Sequence, residues 1–167
     1  MKHLSIPRDG FTLVELLVAM VVISILLATG IPALTNFNNS VSVRATSDQL
    51  LSSLAFARTE AVSEVGDVTI CATTSTDGNA CGANTDWNKG WIIFSDANAN
   101  GAIDGGDEVK NFVDVSTSGV TVMADTSSIT FDSKGENTGG QANFTLTIAD
   151  ALTRNCLLYT SPSPRDA

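Results

Sequence analysis

From Phe11 to Leu34 the chain carries a single ionisable residue, Glu15, and Leu16–Ala28 is apolar except for Ser24. A run of this kind constrains the chain more than any other feature of its sequence. Twenty-four helical residues span about 36 Å at 1.5 Å per residue, against an apolar bilayer core of about 30 Å. Lys2 and Arg8 precede the run and nothing basic follows until Arg44, which places the N-terminus in the cytoplasm. A removed secretory signal is the competing reading. It needs a shorter apolar core with a small-residue cleavage site after it, and it leaves an acid inside the run unexplained. The run is read as a membrane-anchoring helix over residues 11–35.

The residues before it, Met1–Gly10, read as a leader. They hold Lys2, Arg8 and Asp9, so their removal takes the formal net charge from −9 to −10. They also hold His3, the only histidine. Without it the chain cannot build a Ser-His-Asp or Cys-His site, nor a histidine-ligated metal site. Three cysteines are too few for a four-cysteine zinc site. No acid/base or nucleophile constellation is left, and the chain is not expected to be an enzyme. With a sequence pI near 4.3 it also lacks the clustered Lys and Arg that phosphate contacts need, so a nucleic-acid partner is not expected.

Helical periodicity continues past the apolar run. Val43, Ser47, Leu50, Leu54, Ala57, Ala61 and Val65 recur at spacings of three and four, the pattern of one buried face. Arg44, Asp48, Arg58, Glu60 and Glu64 lie opposite, suited to solvent. Gly30 and Pro32 predict a kink or a loosened turn at the join, and Asn36–Asn39 weaken it further. Residues 36–65 are therefore the amphipathic half of one long helix. After Gly66 the character switches to short β-rich runs at Asp67–Ala72, Gly90–Ser95, Val109–Val115, Val120–Ala124, Ile129–Asp132 and Phe144–Ile148. Short spacing without intervening helix patterns favours an antiparallel sheet, and Phe144–Ile148 alternates as a strand with one wet face. The expected fold is α+β: a long N-terminal helix whose second half covers a small antiparallel head over residues 66–157.

The leader junction Gly10-Phe11-Thr12-Leu13-Val14-Glu15-Leu16 resembles the class III signal of type IV pilins and type II secretion pseudopilins. Ala55-Phe56-Ala57-Arg58-Thr59-Glu60-Ala61-Val62, Val68-Thr69-Ile70-Cys71, Cys81 and Trp87–Asp96 resemble the GspH/FimT-type branch of that family. The resemblance implies cleavage after Gly10 by a prepilin peptidase, methylation of the new N-terminal Phe11, and a functional role for Glu15. It also implies a pilin-like fold and a low-abundance structural subunit that assembles with other pilins through its N-terminal helix. Physical chemistry agrees on Glu15. A carboxylate at membrane depth costs about 2.5–3.5 kcal/mol on insertion scales unless partnered, and the free amine of Phe11 on a neighbouring subunit is its natural partner. The implied location is the inner membrane with a periplasmic head, and then a pilus or a pseudopilus. A DNA-binding minor pilin serving DNA uptake is the alternative, but the basic C-terminal stretch it needs is reduced here to Arg154.

In an oxidising periplasm Cys71 and Cys81 are expected to bridge, closing a loop of about eleven residues. Cys156 is then the odd cysteine, because the second pair that relatives often carry lacks its partner here. Residues 158–167 show no strand pattern and are set aside as a tail without a function. The loop Asp96–Glu108 places oxygen side chains at positions 1, 3, 5, 9 and 12, with Gly101 at 6, as an EF-hand-type calcium loop does. Asp96, Asn98, Asn100, Asp104 and Asp107 would supply side-chain oxygens and Ala102 a backbone carbonyl. Strand-forming flanks argue against it, and an Asx- and Gly-stabilised hairpin loop uses the same residues. Trp87 and Trp91 are read as core or edge packing rather than as ligand platforms.

Overall fold

The computed structural model describes residues 10, 12–75, 77–83, 85–148 and 152–158, of which 29, 30, 32, 33 and 152–158 are described by backbone only. One helix, α1, runs Leu13–Glu64 without a break through positions 30 and 32. The chain divides into two compact units, Met1–Asn38 and Asn39–Ala167, with the boundary inside α1.

In the first unit Thr12 caps α1, its Oγ1 accepting the Glu15 N–H at 3.2 Å. Thr-Leu-Val-Glu is the pattern that favours a helix start, since Ser or Thr at the cap is followed by an acid at the third helical position. Two polar side chains fold back on the preceding turn, Ser24 Oγ to Met20 O at 2.7 Å and Thr35 Oγ1 to Ile31 O at 3.1 Å. This satisfies both hydroxyls without water. The apolar side chains find no such cover. Leu13 is 79% exposed, Leu26 63% and Phe37 64%. Among the described residues no helix is long and apolar enough to cross a membrane. The described apolar stretch from Leu13 stops at Ala28, about 24 Å of helix against a core of about 30 Å. The span expected over residues 11–35 needs positions 11, 29, 30, 32 and 33, which lie wholly or in their side chains outside the described residues.

In the second unit α1 buries Val43, Thr46, Ser47, Leu50, Ser53, Leu54, Ala57 and Ala61. The stripe is wider than the apolar periodicity alone indicates, because Thr46 and Ser53 join it. Val65 does not. It is 77% exposed, with φ 54°. The Gly66 N–H bonds Ala61 O at 3.2 Å, so Val65 occupies the left-handed closing position of the helix, which turns its side chain out of the stripe.

Among the described residues seven strands follow: β1 Val68–Ala72, β2 Gly90–Ser95, β3 Glu108–Asp114, β4 Val120–Ala124, β5 Ser128–Phe131, β6 Ala142–Ile148 and β7 Leu152–Leu158. They form two sheets, β3-β2-β1-β5 and β4-β6-β7, where one sheet was expected. Every pairing is antiparallel. β7 is an additional strand, paired along β6 with Cys156 opposite Phe144 and Leu158 opposite Ala142. Leu158 thus belongs to a strand rather than to the tail, and residues 159–167 lie outside the described residues.

The main core gathers the buried helix stripe with Val68, Ile70, Trp91 and Ile93 from the first sheet and Val122, Phe144 and Leu146 from the second. Trp87 and Trp91 are fully buried there, as their reading as packing residues requires. Trp87 packs edge-on against Phe144 at 4.9 Å, and its Nε1–H donates to Thr126 O at 2.9 Å. β1 and β2 are covered on their other face too, because Cys71, Ile92 and Phe94 pack with Cys81, Ile103 and Phe112. Two loops do the covering. One carries Cys81, and its Gly78 lies against the Phe112 ring. The other starts at Asp96 and carries Ile103.

Candidate functional site

Of the residues expected to serve processing and assembly, Gly10 precedes α1 and Glu15 lies in its first turn. Gly10 is exposed. Phe11 lies outside the described residues. Glu15 is exposed in the first turn, where the unpaired N–H groups of the helix favour a carboxylate. Pro32 has no N–H to give the carbonyl four residues earlier, yet the helix continues through it.

On the head, Cys71 and Cys81 form a disulfide with Cα atoms 5.6 Å apart. Thr73, just after β1, helps to close the same loop. Its hydroxyl donates toward Ser75 O at 3.0 Å and Ala80 O at 3.1 Å.

The Asp96 loop is held from its base. Asp96 is 1% exposed, and its carboxylate accepts three hydrogen bonds. Thr69 Oγ1 donates to Oδ2 at 2.9 Å, Gly101 N–H to Oδ2 at 2.8 Å, and Asn100 N–H to Oδ1 at 3.0 Å. Thr69 Oγ1 lies 2.7 Å from Thr130 Oγ1. A hydroxyl has one proton, and that of Thr69 goes to Asp96, so Thr130 donates to Thr69. These three hydrogen bonds compensate the burial of the carboxylate. Ala99 and Gly101 flank this turn with left-handed φ of 54° and 73°.

The far side of the loop closes on Asp104 and Asp107. Asn98 and Asn100 each donate their amide Nδ2 to Asp104 Oδ2, at 2.8 and 3.0 Å. These bonds and the Gly106 N–H, the Asn98 bond first, hold the Asp104 carboxyl below its ordinary range. Asp107 accepts Ala97 N–H at 3.0 Å and Asp104 N–H at 2.8 Å. The carboxylates are thus engaged by the loop's own donors, and the side chains at positions 3 and 5 present N–H groups to the one at position 9. Ala102 gives its N–H to Asn100 Oδ1 at 2.8 Å. Among the described residues no three His, Cys, Asp or Glu side chains are grouped to hold a metal ion. The bonds as folded are those of an Asx- and Gly-stabilised hairpin loop.

Three head contacts have no signature in the sequence. Thr69 is 27 positions from Asp96. Asp125 pairs with both the N–H and the amide of Asn143, at 2.9 and 2.6 Å, which lowers its carboxyl below the ordinary range. Lys110 on β3 bridges Glu108 and Glu64 at 2.7 and 2.6 Å, tying the end of α1 to the first sheet, and the two acids raise its ammonium pKa.

Two sequence comparisons bear on this architecture. The family model described as type II transport protein GspH matches residues 46–162, well over half of the chain. The chain belongs to the GspH family. A second family model, the prokaryotic N-terminal methylation motif, matches residues 7–31 and so covers Gly10, Phe11 and Glu15 of this GspH-family chain. Among solved structures it is similar to the type IV minor pilin FimU of Pseudomonas aeruginosa, strain PAO1. One crystal form matches at 21% identity with a TM-score of 0.53, covering 77% of this chain and 97% of that one. A second form matches at 22% identity with a TM-score of 0.49, covering 73% and 97%. At this identity the likeness shows the fold: a pilin-type helix packed on antiparallel sheet. No curated protein matches the chain by sequence.

Proposed function

We propose that this GspH-family chain is a minor pilin or pseudopilin, a structural fibre subunit rather than an enzyme. A prepilin peptidase cuts after Gly10 and methylates Phe11. Residues 11–35 anchor the chain in the inner membrane with the head in the periplasm, and the same segment then packs against other pilins in a type IV pilus or a type II secretion pseudopilus. The observation that carries this reading is the first half of α1. Its described apolar side chains are exposed between Leu13 and Phe37 while a separately packed head follows, and the methylation motif covers its start. So much apolar surface demands a cover outside the chain. Lipid provides it before assembly and neighbouring helices after. Glu15 then meets the Phe11 amine of a neighbour, and that pairing exists only in the fibre.

Replacing Glu15 by Gln tests this. The variant should insert and fold as the parent does, yet fail to enter fibres in cells, read by immunoblot of sheared fibres against membranes. Incorporation at the parent's level would remove Glu15 as an assembly contact. Intact-mass analysis that finds Met1 retained in the presence of a prepilin peptidase would remove the pilin reading itself. DNA binding has no specific support. The net charge is −9, and two of the head's lysines are engaged, Lys89 with Thr74 O and Lys110 with Glu64 and Glu108.

A further inference from the structure

Asn100 is the one asparagine of the chain followed by glycine. That dipeptide is prone to modify itself, because no Cβ on the glycine shields its nitrogen from the asparagine side chain. The reaction needs only water and solvent base. Gly101 N, after losing its proton, bonds to Asn100 Cγ; the Cγ–Nδ2 bond breaks, and the nitrogen leaves as ammonia with protons taken from solvent. Water then opens the ring at either carbonyl and gives aspartate or isoaspartate, with no change of oxidation state. Asn100 is exposed, so both reagents reach it.

In the folded head the attacking nitrogen and both heteroatoms of the side-chain amide are already engaged. Gly101 N–H points to Asp96 Oδ2 at 2.8 Å, and Asn100 N–H to Asp96 Oδ1 at 3.0 Å. Removing the Gly101 proton would set an amide anion against a buried carboxylate, where like charges repel more strongly than in water. Asn100 Oδ1 is fixed on Ala102 N–H and Nδ2 on Asp104 Oδ2, so the side-chain plane cannot swing toward Gly101 without breaking both bonds. The product is disfavoured too. An acid at position 100 replaces the donor facing Asp104 with a second negative charge. Isoaspartate adds a backbone carbon, which spoils the spacing by which one carboxylate grips two consecutive N–H groups.

We propose that Asn100–Gly101 is a deamidation site that the native head holds shut through Asp96, so that its modification records opening of this loop. Thr69 and Thr130 support the grip from β1 and β5.

The test follows Asn100 by peptide mass mapping of the full, oxidised chain in detergent at mildly alkaline pH, with the urea-unfolded chain as reference. Native chain should modify at least about tenfold more slowly than unfolded chain, and folded Asp96→Asn about tenfold faster than native. Near-ultraviolet circular dichroism of Trp87 and Trp91 reports whether that variant folds. If it does not, Thr69→Val decides, since it removes one hydroxyl bond to Asp96 at nearly constant volume and should speed the reaction several-fold. Equal rates in native and unfolded chain, or a folded variant as slow as the parent, overturn the proposal.

Discussion

The two halves of α1 are covalently one helix and physically two different objects. Around Leu26 the described apolar side chains are exposed on every face of the helix. Around Leu50 one stripe is buried under two sheets, and the residues opposite it are exposed. The first half resembles a surface waiting for a solvent or a neighbour, and the second is a wall of a finished domain. Of the two halves, the second is the one that carries stability of the head, while the first carries assembly under the proposed function.

Leucine truncations break the comparison most sharply. Leu50→Ala should cost the head about 3 kcal/mol, because the cavity under the sheets cannot collapse. Leu26→Ala should leave the head's chemical denaturation curve unchanged within about 0.5 kcal/mol. Equal losses at the two sites would mean that the first half also packs on a core. Next in size is the disulfide. Replacing Cys71 and Cys81 by Ser should cost about 2–3 kcal/mol in the chain-entropy account, read as a lowered urea midpoint. The partner face of β1 and β2 should loosen with it, since both cysteines pack with Ile92, Phe94, Ile103 and Phe112.

A smaller effect of opposite sign is expected where α1 ends. Val65 holds a left-handed φ of 54° with its side chain in solvent, so Val65→Gly should raise head stability by about 1 kcal/mol. A loss there would mean that the helix end is held by contacts of the Val65 side chain. The smallest expected effect is acid sensitivity. The carboxyls of Asp125, held by Asn143, Asp114, held by Ser116, and Asp104, held by Asn98, all lie below their ordinary range in the folded head. A depressed carboxyl contributes stability that is full above its unfolded value, near pH 4, and is lost as pH falls through the folded one. Thermal midpoints should thus be flat from neutral pH to about 5 and decline below about 4, with Asp125→Asn flattening part of the decline.

The sequence by itself determined the long helix, its two characters, the methylation signal and the six strands up to β6. Each rests on local order: a run without charges, a period of three and four, or an alternation between turn residues. The self-bonded nature of the Asp96 loop was legible as one of two readings of the same residues, since Asx-rich turns and calcium loops share a spacing. That Asn98 and Asn100 both give their amides to Asp104 is read only from the structure. Tertiary structure alone decided the rest. Strand runs name no partners, so the division into two sheets follows only once β5 returns to β1 and β4 pairs with β6. Gly90 looks like an ordinary strand start, yet at φ 114° a Cβ there would collide with the Val113 carbonyl oxygen of the neighbouring strand. β7 has a mixed composition with Arg154 and Asn155, and it becomes a strand by lying along β6. Thr69, Thr130 and Asp96 are far apart in sequence and meet because two register-matched strands and one loop bring three oxygens within hydrogen-bond reach. Local periodicity is a property of neighbours in the chain, whereas the compensation of a buried charge is a property of neighbours in space.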